Sequence, residues 1–410
     1  MRNLIKNIKK NSQKLLDLTS RDKENIIFEI ALNLRKNFKN VLKANEKDMA
    51  NFKKTGAIRD RLLLNEKRLT SLCDALEKIA LQEDPINNIQ RGWKNYAGLS
   101  IQKISIPIGL ICVIYEARPA LSAEIIALMI KSSNACILKG GSEAKNTNLA
   151  LFNIVCEVLE KYALKDCFLM LYDKGEIKEL LAFDDLIDVI IPRGSEEMIK
   201  NIAQNTKIPL IKQDKGLCHI FVDESANLKN AVDIIINSKC QKPSACNALE
   251  SLLIHENINL EFFDLLKKAF KKHNIKIHAH KNIIKHFENA NLELFLATQK
   301  DFATEWLDFE LSIKSVKNLG EAIRHINEFS SSHSDCILSN DVQNIAKFQR
   351  LINSACVYAN ASTRFSDGGE FGFGGEVGIS TSRLHARGPM GVDEICIYKY
   401  IIYGDGQIRQ

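Results

Sequence analysis

Short apolar segments rich in β-branched residues alternate with amphipathic segments along most of this chain of 410 residues. Between residues 109 and 223, segments with helical spacing separate the apolar runs "GLICVIY", "NACILKG", "CFLMLY", "LIDVIIP" and "CHIFVD". Apolar strands that alternate with helices predict a parallel sheet whose two faces are covered by the helices. This feature restricts the chain to the α/β class more strongly than any other.

The same alternation resumes near residue 240, with the strand-like runs "LESLLIH", "IKIHAH", "FELSIKS", "SDCILS" and "SACVYA". The N-terminal ~85 residues are instead predicted to be helical, because Ile26, Ile30 and Leu34 recur at helical spacing. A hydrophobic content of 45% over this length is sufficient for two cores. The sequence therefore predicts two units of parallel α/β structure.

Charge and cysteine usage exclude several kinds of protein. Lysine and arginine number 56 against 50 acidic residues and are spread along the chain, which favours solvated helix surfaces over nucleic-acid binding. The 11 cysteines form no CxxC pair and no metal-binding spacing with histidine, so we expect reduced thiols and no metal site. No secretory segment and no apolar stretch of ~18 residues is present, so we expect a cytoplasmic protein without a membrane helix.

Cys246 is the strongest candidate for a catalytic nucleophile. It stands in "KPSACNALE", where proline and small residues predict a turn and residues 248–254 predict a buried strand. Lys239 and Lys242 lie close in sequence, and nearby cations lower the pKa of a thiol. Burial as a small apolar side chain is the alternative, and Cys240, at the end of a predicted helix, is the nearest rival.

Two predicted strand–helix junctions carry glycine and serine, "LKGGSEA" at residues 138–144 and "IPRGSEEM" at residues 191–198. Backbone amides at the start of a helix can bind an anion, and two such junctions in one parallel sheet indicate a dinucleotide at its carboxyl edge. No GxGxxG fingerprint accompanies them, and glycine is common in ordinary turns of this kind. The candidate cofactor-binding residues are Lys139, Gly140, Ser142, Arg193, Gly194 and Ser195.

Arginines and polar residues in two loops are candidates for binding an anionic substrate. In "IYEARP", Glu116 and Arg118 follow a predicted strand, and a surface ion pair between them is the alternative. The glycine-rich segment 360–391 contains several arginines and has the length of a functional loop. Its candidate residues are Asn360, Ser362, Arg364 and His385, with solvent exposure as the alternative for a single arginine.

Several long motifs resemble those of one family. "IPIGLICVIYEARP", "SSNACILKGGSEA", "QKPSACNALE" and "VYANASTRFSDGGEFGFGGEVGISTSRLHARGPMG" occur in order along nearly the whole chain. They are similar to motifs of the γ-glutamyl phosphate reductases, within the aldehyde dehydrogenase superfamily. The resemblance implies NADPH-dependent reduction of L-glutamyl 5-phosphate to L-glutamate 5-semialdehyde, a proline precursor, with release of phosphate.

The fold implied by the resemblance is aldehyde-dehydrogenase-like, with two parallel-sheet α/β domains and a small β flap for oligomerisation. We assign residues 1–90 and 107–238 to the NADPH-binding domain and 239–385 to the catalytic domain. Residues 91–106 and 390–410 are assigned to the flap. A homodimer or homotetramer is expected from it, and association with glutamate 5-kinase is left open.

The resemblance also implies roles for single residues. Cys246 matches the thiol nucleophile, Lys139 and Ser142 match positions on the ribose and phosphate side of the cofactor, and Ser195 matches a position near the pyrophosphate. Glu305 in "TEWLDFEL" resembles the glutamate that holds the nicotinamide ribose, although the usual FGP after it is missing.

Direct contacts with the reacting substrate are expected from two groups of residues. The expected donors to the tetrahedral oxyanion are the backbone amide of Cys246 and either the side chain of Asn247 or nearby amides. Arg118, Arg364 and His385 are expected to bind the phosphate and carboxylate of the substrate, and Asn360 and Ser362 to assist them.

Two departures from general aldehyde dehydrogenases are consistent with reduction of an acyl phosphate. The water-activating glutamate of "ELGG" is missing from "IKQDKGLCH", and "YEARP" replaces "PWNFP", whose asparagine contributes to the oxyanion hole. "KQDKG" also differs from the reductase pattern, so no role is predicted for residues 212–216. An oxidising dehydrogenase would need the missing base, and a non-catalytic relative would be expected to lose the cysteine or the arginine-rich loop.

Overall fold

The computed structural model describes residues 1–53, 57–212 and 215–409, with the backbone alone at 57, 58 and 174. These residues divide into two compact units. Unit 1 comprises Met1–Lys212 and Gly368–Gln410, and unit 2 comprises Gln213–Asp367.

Unit 1 combines a helical N-terminal part with a parallel sheet and two small antiparallel sheets. Its helices are α1 (Arg2–Asn11), α2 (Gln13–Leu16), α3 (Ser20–Lys36), α4 (Phe38–Asn51), α5 (Ala57–Leu62), α6 (Glu66–Ala80), α7 (Leu121–Lys131), α8 (Lys145–Lys161), α9 (Lys174–Leu180) and α10 (Glu196–Gln204). Its strands are β1 (Ile89–Lys94), β2 (Ser100–Pro107), β3 (Leu110–Tyr115), β4 (Ala135–Lys139), β5 (Phe168–Leu171), β6 (Val189–Arg193), β14 (Gly378–Ser380), β15 (Gly388–Met390) and β16 (Cys396–Tyr403).

The central sheet of unit 1 has four parallel strands in the order β5-β4-β3-β6. Strands β3 and β4 are buried along their whole length, as their unbroken apolar sequences predict. The predicted stripe Ile26, Ile30 and Leu34 of α3 is buried in the same core. The chain places β4 on one side of β3 and β6 on the other, so the strand order reverses at β3.

Unit 2 is a second α/β structure around a sheet of seven parallel strands. Its strands are β7 (Cys218–Val222), β8 (Leu249–His255), β9 (Lys276–Ala279), β10 (Leu294–Leu296), β11 (Glu310–Val316), β12 (Ser334–Leu338) and β13 (Cys356–Ala359). Its helices are α11 (Leu228–Cys240), α12 (Glu261–Lys272), α13 (Gln299–Phe302), α14 (Leu319–Phe329) and α15 (Val342–Leu351). The strand order is β10-β9-β11-β8-β7-β12-β13. The predicted α/β class with parallel sheets is therefore confirmed.

The two units begin and end at other residues than the predicted domains. Strand β7 lies within the range 107–238 that we assigned to the cofactor domain, yet it pairs with β8 and β12 in unit 2. Residues 368–385, assigned to the catalytic domain, lie in unit 1. The reason is physical: strand pairing decides which sheet a segment joins, and proximity in sequence does not.

The segments assigned to the flap form a three-stranded antiparallel sheet in the order β1-β2-β16. A further antiparallel pair, β14-β15, lies within the glycine-rich part of unit 1. Across the described ranges, every helix falls short of the length or apolar character that a membrane crossing needs. Among the same residues, no three His, Cys, Asp or Glu side chains gather closely enough to hold a metal ion.

Candidate active site

Cys246 lies on the turn that connects α11 to β8, as predicted. Cys246 and Cys240 are half-buried, whereas the other nine cysteines are buried. Burial raises the pKa of the Cys240 thiol to about 11, against the opposing charge of Lys239. Cys240 is therefore a poor source of thiolate at neutral pH, which leaves Cys246 as the better nucleophile candidate.

Gly216 packs directly against the backbone of Cys246. A Cβ atom at Gly216 would lie 2.2 Å from the carbonyl oxygen of Cys246 and 2.5 Å from its Cα, so a side chain does not fit there. The Gly216 amide donates to Oε1 of Glu305 at 3.0 Å. Cys218 Sγ approaches the same Cys246 carbonyl at 3.4 Å. Sequence reasoning assigned no role to residues 212–216 and missed this contact, because it joins segments far apart in sequence.

Asn247 fastens the turn to the loop after β13. Its Nδ2 donates to the carbonyl oxygens of Arg364 and Ser366 at 3.2 and 2.9 Å. Thr363 Oγ1 in turn donates to the Asn247 carbonyl at 2.7 Å. The predicted oxyanion-donor role of the Asn247 side chain does not fit this arrangement, because its amide group already donates to two backbone carbonyls and the side chain is buried.

The loop after β13 is held by the polar residues expected to contact substrate. The Asn360 side chain accepts from the Ser339 amide at 2.9 Å and donates to the Ser339 carbonyl at 2.8 Å. Ser362 Oγ accepts from the Arg364 amide at 3.2 Å. Asn360 and Ser362 thus hold the loop, whereas Arg364 is half-buried and directs its Nε to Gln241 Oε1 at 2.8 Å, at the start of the Cys246 turn.

In unit 1, the predicted cofactor residues meet at the carboxyl edge of the four-stranded sheet. Lys139 ends β4 and pairs with Ile114 of β3, while Arg193 ends β6 and pairs with Tyr115. Glu116 follows directly after β3. This edge, at the point where the strand order reverses, is where open α/β sheets bind their ligands.

The junction between β6 and α10 is closed by a glutamate. Ser195 caps α10 through its Oγ, and its amide donates to Oε2 of Glu116 at 2.7 Å. A Cβ at Gly194 would lie 2.5 Å from both Glu116 Oε2 and Met198 Cε. Glu116, predicted to contact substrate, therefore accepts a hydrogen bond from a backbone amide at the start of this helix. A carboxylate at that position interacts favourably with the helix dipole.

Arg193 and Lys139 make contacts within unit 1 that the sequence did not indicate. The Arg193 guanidinium donates to the Val377 carbonyl at 2.7 Å and pairs with Glu376 at 3.3 Å. It thereby anchors the glycine-rich segment rather than pointing freely toward a cofactor. Lys139 is buried, and its Nζ donates to the Gly140 carbonyl at 2.7 Å.

Glu143 is a polar residue of this edge that the sequence analysis passed over. It lies in the short 3-10 helix Ser142–Ala144, and its Oε1 accepts from the Ala117 amide at 2.5 Å. Its carboxylate lies over Gly141, where an added Cβ would come within 2.0 Å of it. The position of Glu143 beside the glycines of a predicted turn was the sequence feature that could have identified it.

Two predicted anion-binding residues lie elsewhere in unit 1. Arg118 is half-buried, and its carbonyl accepts from the Leu121 amide at 3.1 Å as α7 begins. His385 is exposed, has a positive φ of 62°, and its Nε2 lies 2.9 Å from the Glu394 carbonyl.

Known proteins resemble this chain over its whole length. The model of the aldehyde dehydrogenase family matches residues 4–284. A gamma-glutamyl phosphate reductase of Campylobacter jejuni (strain 81-176) is 68% identical over 410 residues, and one of Aliarcobacter butzleri is 44% identical over 416 residues; both alignments cover 100% of each chain.

The fold agrees with these sequence relationships. The crystal structure of gamma-glutamyl phosphate reductase from Thermotoga maritima has a TM-score of 0.93 to this chain at 37% identity. It covers 100% of this chain and 99% of its own. The chain therefore belongs to the aldehyde dehydrogenase family of oxidoreductases and, within it, to the γ-glutamyl phosphate reductases.

Proposed function

We propose that this protein reduces L-glutamyl 5-phosphate to L-glutamate 5-semialdehyde with NADPH, in proline biosynthesis, through a thioester on Cys246. The observation that carries the proposal is a half-buried cysteine on a turn backed by Gly216, in a chain 68% identical to a gamma-glutamyl phosphate reductase. A nucleophilic thiol has to be reachable by substrate yet held by rigid backbone, and this turn meets both requirements.

The carboxyl edge of the unit 1 sheet supports a dinucleotide cofactor. An added Cβ at Gly140 would lie 2.2 Å from Asn148 Nδ2, and one at Gly194 would displace the side-chain ends of Glu116 and Met198, so bare backbone lines both junctions in this sequence. We assign Lys139 and Ser142 to the ribose and phosphate side and Ser195 to the neighbourhood of the pyrophosphate. Because the Ser195 amide donates to Glu116, the diphosphate would use the amides that follow it in α10.

Glu305 is proposed to hold the nicotinamide ribose. Its carboxylate is half-buried and accepts from the Gly216 amide, so it is fixed beside the Cys246 backbone. A carboxylate in this state still has acceptor capacity for ribose hydroxyl groups. When bound, NADPH supplies the hydride that reduces the thioester carbon.

The proposed reaction begins and ends at the sulfur of Cys246. The thiolate forms a bond to the acyl carbon, and the bond from that carbon to the phosphate oxygen breaks, so phosphate leaves with the electron pair. The backbone amide of Cys246 donates to the oxyanion of each tetrahedral species. After reduction the carbon–sulfur bond breaks, the electron pair returns to sulfur, and the aldehyde is released. The departing phosphate takes up the single proton that the overall reaction consumes from solvent.

Arg364 is proposed as the main contact for a substrate anion near the thiol. It is half-buried, and its Nε–Gln241 bond fixes it at the first residue of the Cys246 turn. Arginine binds carboxylate and phosphate through two parallel donors, which suits both ends of this substrate. Arg118 and His385 remain proposed contacts for the second anion.

A direct test compares the two half-buried cysteines. Wild type, Cys246→Ala and Cys240→Ala are assayed for NADP+ reduction by glutamate semialdehyde with and without phosphate, and for covalent acyl labelling by mass spectrometry. We expect Cys246→Ala to lose turnover and label, and Cys240→Ala to keep both. Phosphate-independent turnover in the wild type would identify an oxidising dehydrogenase instead, and an active Cys246→Ala would remove the thioester.

We also propose that the chain forms a homo-oligomer through the sheet β1-β2-β16. Strand β1 is exposed throughout, and Tyr400, Ile402 and Tyr403 of β16 are more than half exposed. Exposed apolar faces of this kind mark interaction surfaces. Sedimentation of Tyr400→Lys/Ile402→Lys should give a smaller species than wild type, while Tyr96→Lys, in the exposed turn after β1, should not. An unchanged sedimentation coefficient of the double variant would contradict this surface.

A further inference from the structure

A buried ion pair flanks Cys246 in sequence and has no part in the reaction proposed above. Lys239 lies in α11 before the turn, and Glu250 lies in β8 after it. The Lys239 Nζ and Glu250 Oε2 atoms are 2.7 Å apart, and neither side chain has exposed area. The ammonium group that the sequence suggested as a means of lowering the thiol pKa is therefore paired with a carboxylate.

Stability alone does not account for this pair. Removing two ions from water is costly, and apolar residues of similar volume often give equal or greater stability. Burial raises the pKa of Glu250 to about 7, although the charge of Lys239 opposes that rise. Burial therefore disfavours the charged form of Glu250, and the charge of Lys239 favours it.

Glu250 holds a strained residue in the segment between α13 and β11. Its Oε1 accepts from the Leu307 amide at 3.3 Å. Leu307 has a φ of 55°, a left-handed conformation that a leucine adopts rarely and only where its surroundings impose it. The bond from Glu250 is a contact that can impose it.

The same segment reaches the candidate nucleophile. Glu305, two residues before Leu307, accepts from the Gly216 amide at 3.0 Å, and Gly216 packs on the Cys246 backbone. The charge of Glu305 is also felt at Glu250, where it raises the pKa further. A continuous series of contacts therefore runs from Lys239 through Glu250, the 305–307 segment and Gly216 to Cys246.

We propose that Lys239 and Glu250 are positioning residues, which fix the 305–307 segment so that Glu305 holds Gly216 against Cys246. Lys239 keeps the carboxylate oriented, and the Glu250 oxygen supplies the bond to Leu307. The consequence for cofactor binding rests on the function proposed above, because only there does Glu305 hold the nicotinamide ribose. The placement of the segment itself does not depend on that function.

Two double variants separate the hydrogen bond from the charges. Lys239→Met/Glu250→Leu removes both ions and the acceptor for the Leu307 amide. Lys239→Met/Glu250→Gln removes both ions but keeps an oxygen where Glu250 Oε1 stands. Hydrogen–deuterium exchange is followed in peptides covering residues 305–309 and 215–219, together with the rate at which iodoacetamide alkylates Cys246 and the KM for NADPH.

We expect exchange in both peptides to quicken about tenfold in the leucine variant and to stay within about twofold of wild type in the glutamine variant. The rate of Cys246 alkylation and the KM for NADPH should likewise change more in the leucine variant than in the glutamine variant. Both variants should melt near the wild-type temperature. Equal behaviour of the two variants would overturn the proposal, since the Leu307 bond would then be irrelevant. If the leucine variant does not fold, exchange of the Leu307 amide is measured in the wild type instead. An amide that exchanges there as fast as in an unstructured peptide would overturn the proposal.

Unit 1 offers a matched control with the same local arrangement. Lys23 Nζ pairs with Asp84 at 2.7 Å, and Asp84 Oδ1 also accepts from a backbone amide, that of Ile86, at 3.0 Å. Lys23→Met/Asp84→Leu should quicken exchange near Ile86 and leave residues 305–309 and 215–219 unchanged. Exchange and alkylation are measured without substrate, so they test the pair even if the proposed reduction is wrong.

Discussion

Each unit contains a glutamate carboxylate bound to a backbone amide beside a tightly packed glycine. In unit 1, Glu116 accepts from Ser195 next to Gly194; in unit 2, Glu305 accepts from Gly216 itself. An added Cβ at Gly194 meets the ends of two flexible side chains, whereas at Gly216 it meets the backbone of Cys246. The first arrangement can adjust, and the second cannot without moving the candidate nucleophile.

The contacts that surround Glu305 also differ from those that surround Glu116. Near Glu305, the buried Lys239–Glu250 pair fastens the segment that carries it. Near Glu116, Arg193 is engaged with Glu376 and Val377 of the glycine-rich segment. The comparison indicates that the backbone around Cys246 is held more rigidly than the β6–α10 junction, where side chains can rotate. Substitutions at matched positions in the two units test this difference.

The largest effect is expected from breaking the buried pair on one side only. Lys239→Met leaves the Glu250 carboxylate buried without its cation, a change that typically costs about 3–5 kcal/mol of stability. With Lys239 gone, desolvation holds the pKa of Glu250 above its present value of about 7.

The sign of the pH dependence follows from this raised pKa. A carboxyl whose pKa is higher in the folded than in the unfolded state contributes stability at low pH and loses it as pH rises through the folded value. The melting temperature of Lys239→Met should therefore fall furthest below wild type at pH 9 and least at pH 5. Lys239→Met/Glu250→Gln has no carboxyl to titrate at this position, so its melting temperature should not show the additional loss between pH 7 and pH 9, and a similar loss there would assign the effect to another group.

The next largest effect is expected at the glycine that backs the thiol. Gly216→Ala places a Cβ within 2.7 Å of three backbone atoms of Cys246, so the turn has to shift. A displacement of about 1 Å at a reacting group costs on the order of a hundredfold in rate, so we expect kcat to fall by that amount. Thermal melting alongside single-turnover rates separates misplacement from unfolding, and a normal kcat would show that the turn tolerates the shift.

Features encoded within a few residues were predictable from the sequence. The turn at Cys246, the strand after it and the alternation that gives the parallel sheets depend on local patterns, and the structure contains all of them. Motif resemblance added the family, because long segments such as the glycine-rich loop identify it without knowledge of contacts.

Contacts that join distant segments were not predictable. Gly216 lies thirty residues before Cys246. No residue next to Gly216 in the sequence indicates that a Cβ at this position would overlap the backbone of Cys246. Asn247 looked like an oxyanion donor because it follows the cysteine, yet its partners are the carbonyls of Arg364 and Ser366. Strand β7 joined unit 2 for a similar reason, since its neighbours in the sheet are set by pairing.

A smaller effect is expected from the corresponding substitution in unit 1. In Gly194→Ala the added Cβ can be accommodated by rotation of Glu116 and Met198, at a cost of about 0.5–1.5 kcal/mol for a side chain forced off its rotamer. This corresponds to about a two- to tenfold weaker affinity for NADP+. Titration of NADP+ by fluorescence measures it, and iodoacetamide alkylation of Cys246 should be unchanged. A loss of kcat as large as that of Gly216→Ala would erase the distinction between the two junctions.

The smallest effect is expected from neutralising the carboxylate at the cofactor edge. Glu116→Gln keeps an oxygen to accept the Ser195 amide but removes a negative charge from the start of α10, where the diphosphate is proposed to bind. A charge at a helix N-terminus is worth about 0.3–1 kcal/mol, so NADP+ should bind about two- to fivefold more tightly at low salt, with the gain shrinking in high salt. Glu197→Gln, which neutralises an exposed glutamate of the same helix turn, should change affinity less. Weaker binding by Glu116→Gln would instead indicate that the carboxylate contacts the cofactor itself, and unit 1 would then resemble unit 2 in using its glutamate as a fixed ligand.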